Sequence, residues 1–191
     1  MGDERGERPD RHERILEATI ALLGREGISG VSMRAVAREA GVALGLVNYH
    51  FADKTSLIAA ALRRVEEQDL AMVEPDDALP PEERLRAALR RVAEPAYLTT
   101  DYLSLRLQLW ALARANEEFE HINTAAQKRY RAGLAQLIRD ARPELSRAEC
   151  GRRAADIDVV QNGIWLTALL GLDRASIRRS IARCEEIALE S

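Results

Sequence analysis

Residues 32–51 read SMRAVAREAGVALGLVNYHF, and their punctuation decides the fold. Ser32 stands where a helix N-cap belongs, good helix formers follow, and Gly41 sits where a glycine ends a helix by taking a positive φ. After two or three residues a further short helix is predicted over Leu44 to Tyr49. Two short helices joined by a glycine turn make a helix-turn-helix unit, whose second helix is built to enter a DNA major groove. Val36, Val42 and Val47 fall on faces suited to packing against a preceding helix, and Ala37 is small where the two helices must cross. Arg34 has the reach and donors for guanine or phosphate. Asn48, Tyr49, His50 and Lys54 gather further polar groups in or just after the last helix. Spacing alone leaves one alternative open, an ordinary helical hairpin with solvated polar tips.

Working outward, a first helix opens at Asp10, with Glu13 at capping-box distance, carries Ile15, Ala18, Thr19, Leu22 and Leu23 on one stripe, and stops at Gly27. Asp53 caps a long helix that fades near Met72. Residues 74–83, EPDDALPPEE, hold three prolines and five acids and read as a linker. Beyond them four helices are expected: Pro81 to Thr99 bent at Pro95, Asp101 to Ala115, Glu117 to Ala141, and one from a second capping box, Ser146 and Glu149, to about Leu170. A last helix covers Arg174 to Leu189. The expectation is an all-α chain of about nine helices. Its organisation reads as an N-terminal unit over 1–54, with 1–9 a disordered tail, a connecting helix over 55–73, the 74–83 linker, and a helical domain over 84–191.

Composition bounds the remaining choices. The chain has 191 residues, 31% charged and 47% apolar, enough to bury a core without a metal or disulfide staple. Cys150 and Cys184 make neither a disulfide framework nor a metal spacing. His12, His50 and His121 are far apart, and no metal or nucleophile motif appears, so no cofactor, metal or enzyme activity is expected. The first residues, MGDERGERPDRHER, have no hydrophobic h-region, and Val159 to Leu172 is too short an uncharged stretch to span a bilayer, so a cytoplasmic address and no membrane partner are expected. The net charge of −3 argues, taken whole, against a nucleic-acid binder. Between Ser32 and Lys54, however, three basic residues face two acidic ones. That local balance fits placed contacts rather than a broad basic field.

From Arg14 to about Leu62 the chain resembles the DNA-binding domain of the TetR family of bacterial regulators. Ile15, Leu16, Gly27, Ser32, Ala37, Ala40-Gly41-Val42, Gly45, His50-Phe51, Lys54 and Leu57 fall on the family pattern. The resemblance implies that Arg34 contacts a base or phosphate, that Leu44, Gly45, Leu46 and Asn48 face base edges, and that Tyr49, His50 and Lys54 hold the phosphate backbone. Phe51 is expected in the core. Ala43 departs from the family's Ser or Thr, so the cap of that helix is lost. Asn48 replaces a common Tyr, and its amide suits adenine.

The family's C-terminal segment is a helical ligand-binding and dimerisation domain. Here DIDVVQNGIWLTALLGL is apolar around most of its circumference, as expected of a helix buried on both sides, so a homodimer through about 156–189 is expected, the alternative being a helix in a monomeric core. LSLRLQLWALARAN and VVQNGIWLTALL resemble the BetI-like branch, which carries Asp-Gly-Leu-Trp where this chain has Asn162-Gly163-Ile164-Trp165. That resemblance suggests a pocket lined by Tyr97, Tyr102, Gln108, Trp110, Asn162 and Trp165, whose aromatic faces suit a cationic amine, although the acid that would pair with it is lost at Asn162; the alternative is that these aromatics are core. Together these readings point to a ligand-responsive transcriptional regulator, a repressor released from a palindromic double-stranded DNA operator by a small-molecule effector. The alternative class is a helical carrier with a vestigial helix-turn-helix.

Overall fold

The computed structural model describes residues 10–114, 116–171 and 173–190; the expected tail, residues 1–9, lies outside them. Among the described residues there are nine α-helices and no strand: α1 (Arg11–Gly30), α2 (Met33–Ala40), α3 (Leu44–His50), α4 (Lys54–Leu70), α5 (Pro81–Arg91), α6 (Thr100–Leu112), α7 (Glu117–Ala141), α8 (Arg147–Leu169) and α9 (Arg174–Leu189). Short 3-10 segments, Ala71–Val73 and Pro95–Leu98, follow α4 and precede α6. No helix among the described residues is long and apolar enough to cross a membrane.

Two hydrophobic cores organise the chain. The first is built by α1 to α4 and closed by Leu105, Leu109 and Leu112 of α6 and Phe119 of α7. The second gathers Leu85 and Leu89 of α5, Leu134, Leu137 and Ile138 of α7, Ile157 and Ile164 of α8 and Cys184 of α9. Helices α4 and α6 contribute to both neighbourhoods, so the N-terminal core does not stop at residue 54. Helix α1 lies close to α6 at Gly24, where a Cβ would make an ordinary contact, 3.4 Å, with the Asp101 carbonyl.

The helix ends correct several expectations. Gly27 does break α1, with φ 66° and ψ −170°, although a short turn continues to Gly30. Asp10 and Glu13 do not form a reciprocal box: Asp10 accepts from the His12 N–H, and Glu13 is drawn 2.6 Å from Arg64 Nε on α4. Likewise Ser146 accepts from the Glu149 N–H, but the Glu149 carboxylate turns to Arg152 and Arg153. The reciprocal box stands instead at α4, where Asp53 accepts from the Ser56 N–H at 2.8 Å and Ser56 Oγ accepts from the Asp53 N–H at 3.1 Å.

Residues 81–99 are not one bent helix. Helix α5 ends at Arg91, Glu94 is extended at ψ 147°, and a separate 3-10 turn begins at Pro95. Proline lacks an N–H and pushes the residue before it out of the helical region, which here terminates the helix rather than bending it. Helix α6 also stops at Leu112, short of the expected Ala115, which lies outside the described residues.

Candidate nucleic-acid interface and ligand cavity

The helix-turn-helix is assembled as its residue types require. Ser32 Oγ accepts from the Ala35 N–H at 3.1 Å, opening α2. Gly41 takes φ 63° and ψ 40°, and its N–H closes α2 on the carbonyls of Ala37 and Arg38. Val36, Ala37, Val47 and Phe51 are buried, which fixes α3 against α2 and leaves its opposite face outward. Ala43 makes no side-chain cap bond, in keeping with the departure at that position.

The outward face carries Arg34, Gly45, Asn48, Tyr49 and His50, all exposed, with Tyr49 at 83%. A Cβ at Gly45 would meet nothing within 4 Å, so the backbone there is open to close approach. Leu44 and Leu46 are half-buried and pack on the core, giving them less outward reach than Asn48. Lys54 is half-buried, and its Nζ donates to the Ile28 carbonyl at 2.6 Å, tying the start of α4 to the turn after Gly27. Along α2, α3 and the start of α4 the chain offers a guanidinium, an amide, a phenol, an imidazole and an ammonium, the donor set used for phosphates and base edges.

Two supporting residues had no local signal. Arg14 Nη2 donates to the Ala40 carbonyl at 2.5 Å and so braces the end of α2 from α1. His12, remote in sequence from His50, lies with its ring 5.3 Å from that of His50 and stacks on Phe51 at 5.5 Å. The described residues contain no cluster of three metal-ligating side chains.

The second site is a cavity between α4, α6, α7 and α8. Asp69 of α4 and Arg106 of α6 form a buried ion pair, and the Tyr102 hydroxyl donates to the other Asp69 oxygen at 2.6 Å. The Arg106 guanidinium lies 4.9 Å from the centroid of Trp165 and 5.6 Å from that of Trp110. Trp165 Nε1 donates to the Val92 carbonyl at 3.0 Å, fixing the ring. On α8, Asp158 accepts from Arg131 Nε at 2.7 Å and from Asn162 Nδ2 at 3.1 Å. An acid, Asp158, thus stands one turn before Asn162. Burial raises Asp69 above the usual carboxylate range against the pull of Arg106 and Tyr102, and pushes Glu66 up to about 7. It also holds the phenols of Tyr102 and Tyr130 above their ordinary range.

Of the expected pocket residues, Asn162 and Trp165 line the cavity. Tyr102 stands edge-on to Trp165 at 5.8 Å, Tyr97 edge-on to Tyr102 at 5.3 Å, and Trp110 lies against Arg106. Gln108 is a correction. Its amide faces Gly27 of α1, 3.4 Å from where a Cβ would stand, because it is two positions, about 200°, around the helix from Arg106. Glu66, Asp69, Arg106, Tyr130 and Asp158 escaped notice because a charged residue inside a helical pattern reads as solvated surface until its partner is known.

Comparison with known proteins agrees with both halves. The family model described as bacterial regulatory proteins, tetR family, matches residues 15–61, and that described as BetI-type transcriptional repressor, C-terminal, matches residues 81–189. The HTH-type transcriptional regulator BetI of Paraburkholderia phymatum is 27% identical over 176 residues, covering 88% of this chain and 86% of that relative. A transcriptional regulator from Pseudomonas aeruginosa PAO1 shares the fold with a TM-score of 0.79 at 25% identity, covering 93% of this chain and 88% of its own. The multidrug binding protein EbrR, solved in complex with proflavin, aligns with a TM-score of 0.63 at 25% identity over 93% of this chain and 99% of its own. With a helix-turn-helix at one end and a BetI-type helical domain over most of the rest, this chain belongs to the TetR family of bacterial transcriptional regulators.

Proposed function

We propose that the protein is a ligand-responsive repressor that binds a palindromic operator as a homodimer and is released by a small-molecule effector in the α4–α6–α7–α8 cavity. It acts in the cytoplasm as a non-enzymatic regulator without a cofactor. The observation that carries this reading is the outward face of α2 and α3, where Arg34, Asn48, Tyr49 and His50 stand exposed over a filled core. In the bound state Arg34 and Asn48 meet base edges or nearby phosphates, Leu44, Gly45 and Leu46 approach the groove, and Tyr49, His50 and Lys54 hold the backbone.

Helix α4 supplies the link between sites. Lys54 begins it beside the recognition face, and Asp69 lies near its end in the cavity, about 22 Å away along the axis. A ligand that rearranges the Asp69–Arg106 pair moves α4 against α6, which also packs on α1. Ligand and DNA then oppose one another by linkage. EbrR with proflavin supports the reading that a cavity in this fold accepts a small molecule.

Dimerisation is supported by the outer face of α8, where Val159, Leu166 and Leu170 are exposed, Val159 at 66% and Leu170 at 78%. Their spacing places them with Gly163 on one stripe, suited to a second copy. A helical carrier is the alternative, motivated by the uncapped α3, by Asn48 and by the net charge of −3. Selection from a random-sequence duplex pool separates the two. The expected winner is a palindrome with half-site centres about one turn, ~34–36 Å, apart or a multiple of it; recovery of no common sequence contradicts the regulator.

A further inference from the structure

We infer that the cleft where α1, α4 and α6 meet is a second ligand site, distinct from the effector cavity. It suits an aromatic ring carrying a planar cationic head, an aryl amidine in chemical class. The inference stands apart from the repressor reading and from the identity of the effector. The cleft holds about 350 Å³, the size of a small-molecule pocket, against about 30 Å³ beside Asp69 and Arg106. It lies where the two cores meet: α1 and α4 build the first, and α6 gives Leu105 to the first and Leu103 to the second. A partner's helix, about 10 Å across, is too bulky for it.

The walls are apolar. Ile20 and Ala21 come from α1, Val65 from α4 and Leu105 from α6, and covering them with a ring removes that surface from water. At Gly24 the two outer helices close to contact distance, since a Cβ there would reach the Asp101 carbonyl at 3.4 Å and Leu105 Cβ at 3.8 Å. Tyr102 also lines the cleft, while its hydroxyl donates to Asp69 at 2.6 Å. One side chain thus belongs to both sites, and a ligand in the cleft bears on the Asp69–Arg106 pair through it.

The rim selects the charge. Glu17 of α1 and Asp101 of α6 both line the cleft and are exposed. The basic group beside them, Arg25, is drawn to Glu39 at 3.0 Å and to Glu26 at 3.8 Å, and it also feels Asp101. Acid therefore outweighs base at the mouth, which attracts a cation and repels an anion. Carboxylates on two adjoining helices suit a flat head with N–H groups on more than one edge, because an amidinium-like fork meets a carboxylate through two parallel hydrogen bonds. The amide of Gln68, from α4, offers a further acceptor at the same rim.

Benzamidine and its uncharged counterpart, benzamide, differ at the deciding group. Isothermal titration calorimetry of the full chain should show benzamidine binding with a Kd of about 1 mM or tighter, and benzamide at least about fivefold more weakly. The double variant Glu17→Gln/Asp101→Asn changes two exposed positions. It should weaken benzamidine about fivefold or more with no change in melting temperature. Ala21→Phe puts a ring of the protein's own into the cleft and should abolish saturable binding. No benzamidine binding, benzamide bound as tightly, or unchanged affinity in the double variant overturns the assignment, as does benzamidine still bound by a folded Ala21→Phe protein. Glu66→Gln alters the other cavity; a loss of benzamidine affinity there, with none in the double variant, moves the ligand to that cavity and overturns the assignment too.

Discussion

Arg106 and Asp69, 37 positions apart, form an ion pair in which both side chains are more than nine-tenths buried. The pair joins α6, which packs on α1, to α4, which leads to the recognition face. Removing one partner strands a charge in the core, whereas removing both leaves apolar groups of similar size. Arg106→Met is expected to destabilise the protein by about 3 kcal/mol, and the Asp69→Leu/Arg106→Met double variant to recover most of that loss. Urea denaturation of the three proteins measures the difference. Equal destabilisation by the single and double variants would show that the pair is not the unit that matters.

Glu66 gives stability a pH dependence of unusual sign. Its carboxyl titrates at about 7 in the folded protein against 4.5 ordinarily, so between those values the folded state binds the proton more tightly than the unfolded one. This contribution to stability therefore falls as pH rises through that window and is smallest above 7. Glu66→Gln should be more stable than wild type by about 3 kcal/mol at pH 8, with the gap closing toward pH 4.5. Thermal denaturation of both proteins across that range checks it; a gap that widens toward acid would reverse the assignment.

The missing cap on α3 can be restored. Ala43 has the extended φ −68° and ψ 141° of an N-cap but no side-chain acceptor. Ala43→Ser is expected to raise stability by about 1 kcal/mol, read as a shift in the urea midpoint at constant slope. No shift would mean that packing alone sets the start of α3.

The exposed stripe of α8 predicts the oligomeric state. Val159→Glu with Leu170→Glu places two acids on the proposed contact and should raise the dimer dissociation constant by about a hundredfold, roughly 2.7 kcal/mol. Sedimentation equilibrium reads this directly, and DNA affinity should fall with it. A wild-type protein that sediments as a monomer throughout would remove the dimer from the account.

The legible and illegible parts of this sequence differ in range. Ser32, Gly41 and Asp53 announce helix ends because each acts on backbone within three or four residues. Phe51 was placed in the core by an ordered string of motif residues, and it is buried. Of the residues expected in the cavity, Asn162 and Trp165 line it and Gln108 points to Gly27, while the charged set Glu66, Asp69, Arg106 and Asp158 carries no local mark of burial. Nothing local distinguishes a buried acid from a solvated one; the partner that decides the matter lies on another helix. Arg14 shows the same limit, since its acceptor, the Ala40 carbonyl, belongs to backbone 26 positions away.

The central claim is that the face of α2 and α3 holds DNA through a few placed contacts. Fluorescence anisotropy of the selected palindrome, titrated with wild-type and Lys54→Ala protein between about 50 and 200 mM salt, tests it most directly. The account predicts that affinity falls steeply with salt, that a scrambled duplex binds far more weakly, and that Lys54→Ala weakens both duplexes alike while lowering the salt slope by about one unit. Palindrome and scrambled duplex bound equally, or a slope untouched by Lys54→Ala, would contradict it.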